Sequence, residues 1–485
     1  MWALGRSIHA AHGLVRVFSP LTGYSEQRVT RMDPLHIIIL AAGQGTRMRS
    51  AKAKVLHTIA QRPMLEHVVV TAQSLTPAAI HVVYGHDGDS VREALADFDL
   101  DWVCQSEQLG TGHAVDQAMP QIPDAAVVLV LYGDIPLLDG KTLTAVCESV
   151  GPKQLGLVTS SFGDTTGLGR IQRNAEGQVF GIVEHKDASQ EQLKISEWNT
   201  GLLALNAGAL RGFLSQLDNQ NNQGEYYLTD VIGLAVQAGM KIETVSPRNL
   251  EEVLGVNDRT QLAHLERCYQ SLQCQALMQA GASLADPARV DIRGEVSVGE
   301  DVFIDVNVIF EGRVVLGDGV RIGANSWLKD TEVASGTEIL ANCMLESATV
   351  GKSARIGPFS RLRPGAQIGE LAHVGNFVEV KNTILGKGSK ANHLTYLGDS
   401  DIGDGVNVGA GTITCNYDGA NKHRTVIGDG AFIGSGVELV APVTVHSGAT
   451  IGAGATISKD APQDKLTIER AKQVTLPAWQ RPKKR

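Results

Sequence analysis

Ile402-Gly403-Asp404-Gly405-Val406-Asn407-Val408-Gly409 and, further on, Ile427-Gly428-Asp429-Gly430-Ala431-Phe432-Ile433-Gly434 repeat one design, an aliphatic residue every six positions, usually followed by glycine. The spacing opens at Val298-Gly299 and runs through Ile304-Asp305, Leu316-Gly317, Ile322-Gly323, Ile356-Gly357, Ile368-Gly369, Val374-Gly375 and Ile451-Gly452. About twenty-five such units follow Val298, a signature of the parallel β-helix. One aliphatic side chain per unit fills the interior of a triangular coil, and three units close a turn. Such a coil is a scaffold, so chemistry is sought where the period breaks.

It breaks between Val408 and Ile427, where Gly409 to Lys422 form a polar loop ejected from the coil. Arg361-Leu362-Arg363-Pro364, Lys381 and Asn392-His393-Leu394-Thr395-Tyr396-Leu397-Gly398-Asp399 lie just upstream. His393 falls near a coil corner, where a neutral imidazole takes a proton from an amine attacking a thioester. An isolated histidine is more often a plain surface residue; Arg363, Lys381, Tyr396, Asn407 and the ejected loop favour the functional reading. Cys415 has no partner base in sequence and reads as incidental.

Ahead of the repeat the pattern changes. His36 to Leu40, Ala79 to Gly85, Ala125 to Tyr132 and Leu155 to Ser160 are short apolar runs, as expected of strands buried on both faces. Between the first two, Met64, Leu65, Val68, Val69 and Ala72 follow a helical period. This alternation predicts a doubly wound parallel sheet with ligands at the strands' carboxyl ends. Leu262, Leu265, Tyr269, Leu272 and Ala276 then mark one long amphipathic helix. The expected domains are an unstructured extension over 1–33, a nucleotide-binding domain over 34–258, a linker helix over 259–281, and the β-helix with its tail over 282–485. Met32 is read as the natural initiator.

After the first strand comes Leu40-Ala41-Ala42-Gly43-Gln44-Gly45-Thr46-Arg47-Met48. Its glycines let backbone amides approach phosphate oxygens, while Arg47 and Lys54 add positive charge. A dinucleotide fingerprint needs a third glycine where Met48 stands, and no Gly-Lys-Ser/Thr is present for a P-loop. Gly133-Asp134 follows the strand ending at Tyr132; there an aspartate holds Mg²⁺ against a triphosphate or simply caps a turn. Gln105, Gln108 and Gly110-Thr111-Gly112 form a loop suited to reading a base edge.

Composition excludes other classes. Net charge is −9, which disfavours nucleic-acid and anionic-membrane partners. No apolar run is long enough to span a bilayer. The basic end, Arg481-Pro482-Lys483-Lys484-Arg485, reads as a solvated tail. The six cysteines are scattered without a CxxC pair, which suits reduced thiols in the cytoplasm better than a disulfide frame or zinc site.

The Leu40–Met48 turn with Lys54, the Gly110-Thr111-Gly112-His113-Ala114 loop and Tyr132-Gly133-Asp134 resemble the sugar-phosphate nucleotidyltransferases. Gly181 to Asp187, Asn199-Thr200-Gly201, Gly224 to Asp230 and Gly255-Val256-Asn257 are similar to the branch acting on N-acetylglucosamine-1-phosphate. With the repeat half included, the chain from about Pro34 to Arg481 resembles the bifunctional N-acetylglucosamine-1-phosphate uridyltransferase/glucosamine-1-phosphate acetyltransferase family. The resemblance implies a left-handed β-helix, a homotrimer with acetyl-transfer sites completed by neighbouring chains, and supply of cell-wall and lipopolysaccharide precursors.

It also implies site roles. Arg47 and Lys54 would be catalytic in uridylyl transfer, and Asp134 and Asn257 would hold Mg²⁺. Leu40, Ala41, Ala42, Gly43, Gln105, Gln108, Gly110, Thr111, Tyr132, Gly133, Gly169, Glu184 and Asn199 would bind UTP and the sugar phosphate. His393 would be the general base of acetyl transfer. Arg363, Lys381, Tyr396 and Asn407 would hold glucosamine-1-phosphate, and Ala410, Asn416, Tyr417, Ser435, Ala453 and Arg470 would line the acetyl-CoA groove. Ala53 stands where the family has proline, which leads us to expect Lys54 in place but less rigidly held. The alternative reading is a nucleotidyltransferase whose β-helix only oligomerises or regulates.

Overall fold

The computed structural model describes residues 15–17, 33–43, 45–85 and 88–481. The chain divides into two compact units at Gln270/Ser271, with Val15–Val17 belonging to the second. Of the extension expected to be unstructured, only Val15–Val17 and Asp33 lie within the described residues. Val15–Val17 form a short strand antiparallel to Val296–Val298.

The first unit is an α/β sheet. β1 (Leu35–Leu40), β2 (Ala79–Tyr84), β3 (Asp101–Cys104) and β4 (Val127–Tyr132) are parallel, in the order β3-β2-β1-β4. Ile37 and Ile39 pack on one face of β1 and Ile38 and Leu40 on the other, so the continuous apolar run belongs to a strand covered on both sides. Beyond β4 the expectation of an all-parallel sheet fails. β5 (Gln154–Ser160) does not join β4. A long strand, β6 (Trp198–Asn206), lies between them and is antiparallel to both. The hairpin of Arg170–Arg173 with Val179–Val183 extends this half. Such a strand needs no helical crossover, which is why the strand–helix alternation was silent about it. From β1 the chain winds outward through β2 and β3, then returns to β4 on β1's other side, so the topological switch point lies between Leu40 and Tyr132, which pair directly.

A long helix follows, α1 (Arg259–Gln279), ending two residues before the expected boundary. Leu265 and Tyr269 pack in the first unit's core as expected. Beyond Gln270 the buried positions become Gln273, Cys274 and Leu277 instead of Leu272 and Ala276. Cys274 and Leu277 belong to the second unit's core, so the stripe rotates where the helix acquires a different partner.

The second unit is the left-handed parallel β-helix of hexapeptide repeats. Ile304 pairs with Ile322, Ile322 with Ile339, Ile339 with Ile356, Ile356 with Val374, Val374 with Ala391 and Ala391 with Val408. Each step advances by 17 or 18 residues, three repeat units per coil. The step from Val408 to Ile433 is longer because the ejected loop intervenes. These side chains stack inside the coil, nearly all fully buried.

One corner of the coil needs a residue of positive φ in every turn. Nine residues in register fill it: Asn307, Asn325, Asn342, Phe359, Phe377, Leu394, Gly411, Gly436 and Gly454. Asparagine tolerates this region, glycine enters it freely, and other side chains cost about 1–2 kcal/mol. The asparagines add a ladder, Asn307 donating to Asn325 at 2.9 Å and Asn325 to Asn342 at 3.2 Å. The middle group lacks such compensation.

Because the stack is close-packed, Ile433→Ala should cost about 2–5 kcal/mol, read from denaturant unfolding of the second unit. Glu438→Ala, on the outer surface of the next coil face, should cost less than about 0.5 kcal/mol. Equal costs would contradict an interior stack.

Candidate functional site

In the first unit the switch point gathers the residues read from sequence. Leu40, Ala41, Ala42, Gly43, Lys54, Gln105, Gln108, Gly110, Thr111, Tyr132 and Asp134 line one pocket, together with Val55, Ala114 and Glu225. Gly133 donates to the Leu40 carbonyl at 2.9 Å, tying the two strand ends together. Gln108 donates to the Ala42 carbonyl at 2.5 Å, and Gln105 donates to the Gly110 carbonyl at 3.1 Å, which clamps the loop over the pocket. Gly110 sits at φ +114, and a Cβ there would meet the Tyr226 carbonyl at 2.6 Å.

The charges converge. Lys54 Nζ lies 2.5 Å from Asp134 Oδ2 and 3.3 Å from Asn257 Oδ1. Arg47 Nη2 donates to the same Asn257 oxygen at 3.0 Å. Gly45 at φ +59 makes this possible, since a Cβ there would strike Lys54 Cβ at 2.6 Å. Asn257 is brought in by the Val256 amide, which donates to the Asp134 carbonyl at 2.9 Å. Ala53 holds φ −54, within the range a proline ring would fix, so the loop has without the ring the φ that proline would impose there.

Gly169, Glu184 and Asn199 cluster beside Tyr132. The Asn199 amide donates to the Gly169 carbonyl at 2.9 Å, and Thr229 Oγ1 donates to Glu184 at 3.0 Å. Burial raises the Glu184 carboxyl, and Asp230 and Asp187 add to the shift against the Thr229 bond. Burial also pushes the Tyr132 hydroxyl up, reinforced by Glu184 and Asp134. Gly201, at φ +85, leaves the space that the Tyr132 ring fills.

In the second unit His393 precedes the corner residue Leu394. The residues preceding Gly411, Gly436 and Gly454 at the same corner are Ala410, Ser435 and Ala453. The chain ties them in sequence: Gly411 N–H donates to the Leu394 carbonyl, Gly436 N–H to Ala410, and Gly454 N–H to Ser435. One column therefore runs from the imidazole down three small residues. At about 4.8 Å per coil it extends about 14 Å. The Arg470 guanidinium lies near Gly452 at its far end. The exposed His393 ring makes no hydrogen bond among the described residues.

Arg363 Nη1 donates to Glu379 at 2.7 Å, and Glu379 pairs in register with Tyr396. Lys381 pairs with Gly398, where the Tyr396 hydroxyl leaves no room for a Cβ. Contact with Lys422 of the ejected loop, then burial, lowers the Lys381 ammonium pKa. Asn407 stands beside Lys390, one coil after His373. Tyr417 is 60% exposed on the loop, its hydroxyl donating to the Gly419 carbonyl at 2.5 Å. Burial raises the Cys415 thiol, and Glu438 adds to the shift, in keeping with an incidental cysteine.

Asn416 has a second part to play. It is buried, and its amide donates to the Asp399 carboxylate, which also accepts from Asn382 at 2.5 Å. Burial alone would raise the Asp399 carboxyl, but these amides, with Lys381 and Lys422, hold it below its ordinary value. Asp399 thus ties the root of the loop to the coil. Sequence reading passed over it because its partners lie one coil before and one coil after it; only the coil length gives that signal. Glu379 was passed over as well, and Lys422 and Glu225 lay within stretches singled out in the sequence but were given no role of their own.

Fold and sites define a two-unit transferase, a nucleotidyltransferase unit followed by a hexapeptide-repeat transferase unit. Residues 37–192 match the MobA-like NTP transferase domain, and residues 295–330 and 424–459 match the bacterial transferase hexapeptide (six repeats). The bifunctional protein GlmU of Marinobacter nauticus is 54% identical over 93% of this chain and all of its own length. Those of Azoarcus sp. and Stutzerimonas stutzeri are 53% and 55% identical over the same share of this chain and all of theirs. The chain belongs to the GlmU family of bifunctional proteins.

Asp399→Asn would set a third amide against the two that Asp399 accepts, at a cost of about 1–3 kcal/mol. Amide hydrogen exchange over residues 416–423 should quicken about tenfold or more. Unchanged protection would mean that the loop is held elsewhere.

Proposed function

We propose that this chain makes UDP-N-acetylglucosamine by acetyl transfer in the second unit and uridylyl transfer in the first. The amine of glucosamine-1-phosphate attacks the thioester carbonyl of acetyl-CoA, His393 takes the amine proton, and the thiolate of coenzyme A leaves. A phosphate oxygen of N-acetylglucosamine-1-phosphate then attacks the α-phosphorus of UTP in line, and pyrophosphate leaves. Arg47 and Lys54 offset charge on the phosphates, while Gln105 and Gln108 address the base. Glu184, Asn199 and Gly169 address the sugar.

The column from His393 through Ala410, Ser435 and Ala453 carries this reading over a β-helix that merely oligomerises. Small side chains over about 14 Å leave a track for an extended pantetheine arm ending at an imidazole. Arg363, Lys381, Tyr396 and Asn407 suit the sugar phosphate, and Asn416, Tyr417 and Arg470 the coenzyme.

We assign Mg²⁺ to Asp134 and Asn257. Their oxygens are the hard donors this ion takes, and one or two protein ligands plus phosphates are its usual set. Lys54 and Arg47, converging on the same oxygens, fit a site built for positive charge. When bound, the ion would neutralise phosphate charge; Lys54 and Arg47 orient the same groups from the protein side.

We also propose a homotrimer. Phe359, Phe377 and Leu394 are 49%, 58% and 65% exposed at strained corner positions, and the two phenyl rings stack at 5.3 Å. Apolar side chains that cost backbone energy and face outward suit burial by another copy, and the patch adjoins His393. The chain would work in the cytoplasm, where UTP and acetyl-CoA are supplied. Among the described residues no helix is long and apolar enough to cross a membrane.

Two experiments test this. His393→Ala should lower thiol release from acetyl-CoA and glucosamine-1-phosphate by about 10²–10⁴, recover partly as pH rises and frees the amine, and leave unchanged the pyrophosphate release from UTP, Mg²⁺ and supplied N-acetylglucosamine-1-phosphate. A full-rate variant would end the base assignment. Phe377→Asp should relieve corner strain, since aspartate tolerates positive φ, yet yield monomers by light scattering that keep only uridylyl transfer. A trimer that retains both rates would contradict the interface.

A further inference from the structure

The first unit holds a set of donors that neither activity uses. Glu251 lies in the short turn Glu251–Val253, and His264 and Cys268 lie one turn apart on α1. Their ligand atoms all fall within 4.8 Å of one another. Cys268 Sγ and His264 Nε2 are 3.7 Å apart. Zinc bonds of about 2.3 Å to sulfur and about 2.0 Å to nitrogen, set at a tetrahedral angle, place those atoms about 3.5 Å apart. The i, i+4 spacing on a helix points both side chains the same way, and Glu251 closes the third corner from a separate segment.

We propose that Glu251, His264 and Cys268 form a three-ligand site for a thiophilic divalent cation of the Zn²⁺ class, its fourth position open to water. A thiolate–imidazole–carboxylate set selects such an ion over Mg²⁺, which takes oxygen donors. The scattered cysteines gave no hint in sequence, because Cys268 pairs with a histidine and a carboxylate instead of another cysteine.

The location gives the site a consequence. The segment between Glu251 and His264 contains Gly255-Val256-Asn257, and Asn257 meets Arg47 and Lys54. An ion joining Glu251 to α1 would staple both ends of the arm that delivers Asn257 to the uridylyl-transfer pocket. Occupancy of this site is thereby linked to the first activity. Binding itself stands apart from the functional assignment, since it needs only these three side chains.

Titrating the full-length, metal-free protein with Co²⁺ tests the proposal. The expected result is one equivalent bound with a thiolate-to-cobalt charge-transfer band and the intense visible bands of tetrahedral cobalt, bleached by one equivalent of Zn²⁺. Cys268→Ser should abolish the charge-transfer band, and Glu251→Gln and His264→Gln should each weaken binding tenfold or more. Cys104→Ser, which removes an exposed thiol elsewhere, should leave the spectrum unchanged. Absence of a thiolate band in the unmodified protein would overturn the proposal, as would its persistence in Cys268→Ser. Pyrophosphate release by metal-free Cys268→Ser with Mg²⁺ should equal that of the equally metal-free parent protein, which separates failure of this site from failure of the uridylyl-transfer assignment.

Discussion

The second unit depends on one backbone constraint: every coil must pass a corner at positive φ. Interior aliphatic residues supply the driving force for winding, at about 1.5–3 kcal/mol for each fully buried side chain, but they do not tell one coil from another. The corner does. Where asparagine fills it, the turn is satisfied locally and the asparagines stack in a ladder. Where phenylalanine and leucine fill it, strain is accepted and apolar surface is presented outward. Where glycine fills it, side-chain bulk disappears beside Ala410, Ser435 and Ala453. One structural position read along the coil therefore passes from scaffold to proposed interface to proposed coenzyme track, with His393 where the last two meet.

The first unit solves a different problem, holding several charged groups at a point where polyanions must bind. Chain reversal between β1 and β4 leaves a crevice at two strand ends, and short loops deliver side chains into it. Lys54 pairs with Asp134 there, and Asn257 accepts from both Lys54 and Arg47, so these groups are hydrogen-bonded while a net positive charge faces the crevice. These contacts also give a bound nucleotide something to displace. Lys54 and Arg47 are held close to where phosphates would lie; on the proposed assignment Asp134 and Asn257 would hold Mg²⁺, and both cations would then be free to meet the phosphates.

Much of this was legible in the sequence because the signals were periodic or local. The six-residue spacing specified the coil, the apolar runs specified β1 and β4, and Gly43, Gly45, Arg47 and Lys54 stand close together along the chain. What escaped depends on pairing at a distance. β6 enters antiparallel between β4 and β5, and nothing within Trp198–Asn206 announces its neighbours. The buried stripe of α1 shifts at Gln270 because its surroundings change, while the helical period continues. Asp399 meets Asn382 and Asn416 only once the coil has brought residues 17 apart into register. Cys268 finds His264 one helical turn away, but Glu251 arrives from before the helix.

On the proposed function, the small-residue side of the corner column carries the acyl donor to His393. Ala453 tests it most directly, being exposed, far down the column from the imidazole and outside the coil's core. Steady-state kinetics of Ala453→Phe should show KM for acetyl-CoA raised about tenfold or more, as expected for blocking a packed contact worth about 1.4 kcal/mol or more. KM for glucosamine-1-phosphate and the rate of pyrophosphate release should stay the same. An unchanged KM for acetyl-CoA in a variant that keeps its oligomeric state would contradict the account, because the coenzyme would then have to reach His393 by another path.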